Sequence, residues 1–172
     1  MILKAGDSSL KKVETEDNDI GSPAFHFDLD RLLCALQDLG GMGIAAPQLG
    51  IQRRLLLIES KPNERYPHAP KMDLLIMSNP RLIRQSAQEE YGWEGCLSVP
   101  AKRIEISRSL SVTVSYSDVE NMRHELELTG FPARIFLHEF DHLEGLTILD
   151  RAESPERILS EEEYFSRILK VK

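Results

Sequence analysis

The pentapeptide His138-Glu139-Phe140-Asp141-His142 combines residue types and spacing that can do metal chemistry. On an α-helix, side chains four residues apart lie on one face, so both imidazoles can bind one divalent ion while Glu139 stays beside its open position. The pentapeptide alone is also compatible with a solvated helix that carries two unrelated histidines. A catalytic metal site therefore needs a third ligand from elsewhere in the chain.

Cys96 is the leading candidate for that third ligand. Gly95 precedes it, and a glycine in a strand indicates a bulge or the close approach of another backbone, which could re-aim the cysteine side chain. The other cysteine, Cys34, lies between Leu33 and Ala35 in a leucine-rich pattern. Because a free cysteine behaves as a small hydrophobe, we expect Cys34 to be a buried core thiol.

Residues 41–48 read Gly-Met-Gly-Ile-Ala-Ala-Pro-Gln and partly match a dinucleotide-binding fingerprint. That fingerprint needs a strand before it and a helix after it, but here a helix is predicted before it and Pro47 would break a helix after it. We interpret the segment as a loop whose glycines let an extended peptide substrate approach closely, with the Gln48 amide available as a donor. The alternative is a tight turn with Gln48 in solvent.

The composition is that of an ordinary globular protein of 172 residues, with 41% hydrophobic residues and a formal net charge of −7. This charge argues against general nucleic-acid binding, and we expect no direct nucleic-acid specificity. No membrane-spanning run or signal-peptide core is present, so we expect no membrane association and a cytoplasmic location, or an organellar one after removal of a transit peptide. Two cysteines are too few for a disulfide framework.

The elements that must position these residues follow from the spacing of apolar residues. Residues 1–23 are polar and broken, and we expect a surface arm with little chemistry. A helix is predicted over 28–39 with Asp28 as its N-cap, and the helix that carries the pentapeptide over about 132–143. Ser160 and Glu163 form a capping box that opens a last helix over about 160–169. Short strands are predicted at 54–59, 74–77, 81–83, 104–106, 110–116, 125–128 and 146–149.

This order of elements predicts an α+β fold, in which antiparallel β-sheets pack around a central helix that carries the H-E-x-x-H motif. No repeat or linker is present, so we expect residues 1–172 to form a single domain with a C-terminal helix.

Three segments resemble the signature motifs of peptide deformylases, hydrolases that remove the N-formyl group from the initiator methionine of new polypeptides. The family motifs G-x-G-x-A-A-P-Q, E-G-C-L-S and Q-H-E-x-D-H-L-x-G match residues 41–48, 94–98 and 137–145 in the same order. This sequence departs from them at Leu137, where the family usually has glutamine, and at Ala101, where glycine commonly follows Ser-Val-Pro. Neither departure removes a ligand or the acid/base, but both bear on local packing, pocket shape and activity.

The resemblance implies that Cys96, His138 and His142 bind one divalent metal ion, iron(II) first, with nickel, cobalt and zinc also accepted. Glu139 would carry the proton from water to the departing amine. Negative charge on the formyl oxygen would be stabilised by the Gln48 amide and the Leu97 backbone N–H. The N-formyl-methionyl nascent peptide would lie extended between the segment at Gly43 and Ile44 and the strand near Gly95. It would contact these three residues and Ile135.

Two other functions stay open at this stage. A zinc endopeptidase also uses H-E-x-x-H, with its third ligand usually downstream, such as Glu161, Glu162 or Glu163. A degenerate homologue could bind formylated peptides without hydrolysing them, but it should have lost Glu139 or a ligand, and this sequence keeps them all.

In bacterial enzymes of the family a C-terminal helix is implicated in contact with the ribosome. Arg167, Lys170 and Lys172 could serve that purpose here, and a solvated amphipathic helix is the alternative.

Overall fold

The structure is a computed structural model that describes residues 1–170. It contains three α-helices, α1 to α3, at Pro23–Leu39, Phe131–Leu143 and Glu161–Tyr164. Eight strands, β1 to β8, run over Gly43–Ala45, Leu55–Ser60, Met72–Gln85, Glu89–Cys96, Val99–Ser109, Ser111–Ser117, Arg123–Thr129 and Ile158–Ser160. Short 3-10 helices cover Ser8–Lys11, Ala46–Leu49 and Pro155–Arg157, and a π-helical turn covers Phe165–Leu169. Within residues 1–170, no helix has the length and apolar character needed to cross a bilayer.

The strands form two sheets in which every pair is antiparallel. The larger sheet has the order β1-β2-β3-β6-β7, and the smaller one has the order β4-β5-β8. Helix α2 packs against strands of both sheets and buries Phe136, Leu137 and Leu143 in a core with Leu56 and Met77. The predicted α+β fold around a central motif-bearing helix is confirmed.

Helix α1 begins earlier than the sequence suggested. The Oγ of Ser22 accepts a hydrogen bond from the Phe25 N–H at 3.1 Å, so Ser22 is the N-cap and the prediction of Asp28 was wrong. Proline is tolerated in the first helical turn, which is why the helix can start at Pro23.

The inner face of α1 excludes Cys34. The buried residues of the helix are Phe25, Leu29, Leu32 and Leu36. Cys34 is two residues from both Leu32 and Leu36, which turns it by about 200° to the opposite face. Its thiol is exposed, and the prediction of a buried core cysteine was wrong.

The amino-terminal residues are not a loose surface arm. Leu10 is buried, and the Glu14 N–H donates to the carbonyl of Leu143 at the end of α2 at 2.9 Å. The N–H groups of Leu3 and Ala5 donate to the carbonyls of Gln48 and Ser98, each at 2.8 Å. The amino-terminal segment therefore contacts the end of the motif helix, the 3-10 helix after β1 and the turn between β4 and β5.

Other predicted boundaries change because of local turns. Residues 74–77 and 81–83 belong to one long strand, β3, which continues through Asn79 at φ 49° with a shift in pairing register. Residues 146–149 form turns rather than the predicted strand, and the Thr147 N–H donates to the Asp150 carboxylate at 2.8 Å.

The last helix begins as predicted, with the capping box of Ser160 and Glu163. It continues from α3 into the π-helical turn that ends at Leu169. Lys172, one of the three residues expected to face the ribosome, lies outside the described residues.

Candidate metal centre and active site

Cys96, His138 and His142 come together although they lie on different elements. Cys96 ends β4, and the two histidines lie one turn apart on α2. Their ligand atoms all lie within 4.8 Å of one another, and Sγ of Cys96 is 3.3 Å from Nε2 of His142. One thiolate and two imidazoles are a donor set that fits a divalent transition metal and leaves a tetrahedral position open.

A buried carboxylate, Glu94, orients one of these histidines. Nδ1 of His138 lies 2.9 Å from Oε2 of Glu94. The carboxylate is ionised, because the Arg108 guanidinium and the hydrogen bonds from His138 and Arg108 outweigh burial and hold the pKa of Glu94 well below its usual range. Nδ1 must therefore be the donor, which leaves Nε2 of His138 free for a metal.

Glu94 in turn is held by two arginines. Arg108 donates to both of its oxygens at 3.0 Å, and Nη1 of Arg134 donates to Oε1 at 2.9 Å. Arg108 also donates to Asp141 at 2.6 Å, so the motif aspartate pairs with arginines instead of joining the ligand cluster. Because Glu94 is buried and bonded to both arginines, its carboxylate has a fixed position. The bond between Glu94 and Nδ1 therefore also fixes the position of the His138 ring.

The thiol of Cys96 is favoured as a thiolate. Burial raises the pKa of Cys96, but the charges of His138 and His142 and their hydrogen bonds outweigh it, so the pKa lies well below its usual value. A thiolate is the form that binds metals.

Glu139 lies against the backbone of β1. A β-carbon on Gly43 would meet the Glu139 side chain at 2.5–2.8 Å, so only glycine leaves room for the carboxyl group. Burial raises the pKa of Glu139 to about 7. Its Oε2 has no hydrogen-bond partner among residues 1–170, and the group faces the same cleft as His138. A carboxyl with a pKa near neutrality can both accept and release a proton.

Gln48 is buried with a fixed orientation, and the alternative of a solvated turn residue was wrong. Its Oε1 accepts the Ala45 N–H at 2.9 Å, which turns Nε2 towards Cys96 Sγ at 3.9 Å and Ser98 Oγ at 3.3 Å. The segment is a short strand followed by a 3-10 helix rather than a loop. Leu97 lies in the two-residue turn between β4 and β5 and lines the cleft.

These groups line a cleft of about 280 Å³ between β1 and β4. Both strands are edge strands of their sheets. Of the four residues predicted to contact the substrate, Gly43, Gly95 and Ile135 line the cleft. The Ile44 side chain does not, because alternate side chains of β1 point to opposite faces and Ile44 packs in the core beside α1.

Three residues of the site, Arg134, Glu94 and Arg108, were not predicted as site residues from the sequence. Arg134 lies four residues before His138 on the same helix face, and Glu94 lies two residues before Cys96, so spacing could have indicated both. Arg108 is brought to Glu94 only by the β4–β5 pairing, and no spacing in the sequence points to it.

The third ligand distinguishes the chemistries that the sequence left open. Within residues 1–170, the cluster able to hold a metal contains Cys96 and no downstream glutamate. Glu161 instead pairs with Arg103 at 2.8 Å.

Comparison with known proteins agrees with this geometry. Residues 1–158 match the family model described as polypeptide deformylase. The chain is 38% identical over 169 residues to peptide deformylase 2 of Nostoc sp., covering 98% of this chain and 94% of that protein. It is 41% identical over 162 residues to peptide deformylase 2 of Shewanella oneidensis, covering 94% and 89%.

Solved structures give the same result. The class I type b peptide deformylase of Acinetobacter baumannii, crystallised with Met-Ala-Ser bound, superimposes with a TM-score of 0.86 at 37% identity and covers 88% of this chain and 96% of that one. Members of this family are metalloenzymes, and the thiolate and imidazole cluster fits that property. The chain therefore belongs to the peptide deformylase family, whose members remove the N-formyl group from nascent polypeptides.

Proposed function

We propose that this protein hydrolyses the N-formyl group of formyl-methionyl peptides at the cluster of Cys96, His138 and His142. The observation that carries the proposal is the meeting of this cluster with the buried carboxyl of Glu139 in one cleft. A divalent ion held by the three side chains would supply Lewis acidity, which polarises the formyl carbonyl and lowers the pKa of water.

Glu139 is the proton carrier in this proposal. Its carboxylate accepts a proton as water adds to the formyl carbon, and it returns that proton to the nitrogen when the C–N bond breaks. The products are formate and a free amino terminus. Protonation is required because an unprotonated amide nitrogen is a poor leaving group.

Gln48 and Leu97 would stabilise the charge that develops on the formyl oxygen. Nε2 of Gln48 is held in the cleft by the bond that its other end makes to Ala45. A donor fixed before the reaction needs no reorganisation as charge develops. The backbone N–H of Leu97 would be the second donor.

The free edges of β1 and β4 suit an extended peptide. A chain lying between them can add backbone hydrogen bonds to both edges, with the methionine side chain towards Ile135. The Acinetobacter baumannii relative was crystallised with the peptide Met-Ala-Ser bound.

We further propose iron(II) as the metal, with nickel, cobalt or zinc able to replace it. Iron-loaded protein should lose activity in air, whereas nickel-loaded protein should keep it. Stable activity of the iron form in air would argue against iron.

The test of the function is formate release from a formyl-methionyl peptide by metal-loaded protein. We expect turnover by the native chain and a loss of at least about a hundredfold in Glu139→Ala, which removes the acid/base. Binding of the peptide without formate release would support the degenerate homologue instead.

Contact with the ribosome stays a prediction for the C-terminal segment. Arg167 is exposed and pairs with Glu163 across one helical turn at 3.1 Å, and Lys170 is exposed. Cosedimentation of the Arg167→Glu/Lys170→Glu double variant with ribosomes, against the native chain, tests it.

A further inference from the structure

The mouth of the cleft is lined by positive charge in a protein whose net charge is −7. We use the name outer cleft for the part formed by Lys4, Arg65, Lys102 and Arg103. These residues come from the amino-terminal segment, the loop between β2 and β3, and β5. The fold thus brings together cations that are far apart in the sequence.

Arg103 is the fixed member of this group. Its side chain is 5% exposed and lies against Gly95, where a β-carbon would collide with the guanidinium. Nη1 donates to the Tyr66 hydroxyl at 3.2 Å, and Nη2 donates to Glu161 at 2.8 Å. The buried Nε has no acceptor among residues 1–170. A guanidinium held in a fixed orientation beside a substrate cleft is suited to pairing with a carboxylate.

The anionic groups of the cleft do not cancel this charge. Glu94 is already compensated by Arg108, Arg134 and His138. Glu139 lies at the metal end of the cleft, beside Gly43.

Glu161 is the anion nearest the outer cleft, and it is shared between two cations. It pairs with Arg103 and lies 3.6 Å from Nε of Arg65. Lys4 donates to the Leu97 carbonyl, which is a neutral partner. Four cations therefore face one carboxylate.

We infer that the outer cleft selects formyl-methionyl peptides that carry an acidic side chain in the first two positions after methionine. This inference rests on the proposed function and names the class of substrate within it. An extended peptide advances about 3.3 Å per residue, so a chain that starts at Cys96 passes Gly95 and Arg103 within a few residues. A substrate carboxylate there meets Arg103, Arg65 and Lys102, whereas a lysine side chain meets like charge.

The experiment compares kcat/KM for formate release from three C-terminally amidated peptides, so that only the side chain differs in charge. They are formyl-Met-Ala-Ser, formyl-Met-Ala-Asp and formyl-Met-Ala-Lys. A second set places the serine, aspartate or lysine directly after methionine. We expect the aspartate peptides to exceed the serine peptides by about fivefold and the lysine peptides to fall below them. The preference should shrink in about 0.5 M NaCl, because salt screens exposed charges.

Charge reversal in the outer cleft locates the effect. Lys102→Glu and Arg65→Glu change exposed side chains, and each should bring the aspartate-to-serine ratio close to one. Arg84→Glu is the matched control, since Arg84 is exposed on β3 and does not line the cleft. It should keep the ratio of the native chain.

The outcomes separate the two proposals. Formate release with no preference for acidic peptides, or a preference that both cleft variants retain, overturns this inference and leaves the proposed function in place. Absence of formate release from every peptide overturns the proposed function itself.

Discussion

The backbone of Gly43 lies so close to Glu139 that a β-carbon at this position would stand 2.5 Å from the carboxyl Oε1. We predict that Gly43→Ala displaces this carboxyl and lowers kcat by at least about tenfold, because general acid–base catalysis depends on its position. Metal content should stay unchanged, since no ligand is touched. Gly41→Ala is the control, because its β-carbon would face Gly43, Leu36 and Leu97 instead. Equal losses in both variants would mean that the segment is distorted as a whole.

Gln48→Leu should lower turnover by about a hundredfold with little change in metal content, because a fixed donor to the formyl oxygen is worth about 3 kcal/mol. Steady-state rates and metal analysis on the same preparation check this. Ser98→Ala, which only removes the hydroxyl partner of Nε2, should cost much less. Near-normal turnover of Gln48→Leu would refute the role of the amide.

Glu94→Gln should weaken metal binding by about 10- to 100-fold, because Nδ1 of His138 loses its anionic acceptor. It should also lower the free energy of unfolding by about 3 kcal/mol, since Arg108 is left with a weaker partner in the interior. Asp141→Asn gives the matched comparison, because it breaks the pairing of Arg108 without touching His138. If the metal affinity of Asp141→Asn falls as much as that of Glu94→Gln, the loss comes from a general loosening of the core and not from the bond to His138.

Ala101→Gly should raise the free energy of unfolding by about 1 kcal/mol. Ala101 has a φ of 60°, a left-handed conformation that costs a residue with a β-carbon about 1–2 kcal/mol and glycine almost nothing. A glycine at this position, as in the family motif, would avoid that cost. Ala35→Gly within α1 should have the opposite sign, and urea unfolding of the two variants tests the pair.

The stability of the protein should depend on the ionisation of Asp17. Burial raises the pKa of Asp17 to about 6, although Arg53 lies 3.6 Å away. The folded state thus binds more protons than the unfolded state between about pH 4 and pH 6, and stability falls as pH rises through that range. Asp17→Asn should gain about 1 kcal/mol at pH 8 and nothing at pH 4. Asp73→Asn, at an exposed site, is the control.

The sequence was sufficient for the parts of the site that lie close together along the chain or carry a family motif. His138, Glu139 and His142 share one helix, and helical spacing alone predicts their convergence. Cys96 was found because Gly95 is unusual in a strand, and Gln48 because the glycines of the segment 41–48 indicate the close approach of another backbone. The fold class followed from alternating apolar residues between two helical segments.

The rest depended on tertiary contacts that spacing does not encode. Arg108 reaches Glu94 only because β4 and β5 pair in one register, and Arg103 meets Glu161 only after β8 joins the same sheet. The error at Cys34 differs in kind. The spacing of the leucines located the helix but did not show which face is buried. The buried face contains Phe25, Leu29, Leu32 and Leu36, and Cys34 lies on the opposite, solvent-exposed face.

The first five residues connect the short segments that follow β1 and β4, the edge strands of two different sheets. Leu3 is bonded to Gln48 and Ala5 to Ser98, so one short segment of backbone spans the end of the cleft. A preparation that lost these residues to proteolysis would keep every metal ligand and still lose two backbone hydrogen bonds beside the cleft, one of them to the carbonyl of Gln48. When a purified sample binds metal but does not release formate, the first measurement should therefore be the intact mass of the protein, which shows whether the amino terminus is still present.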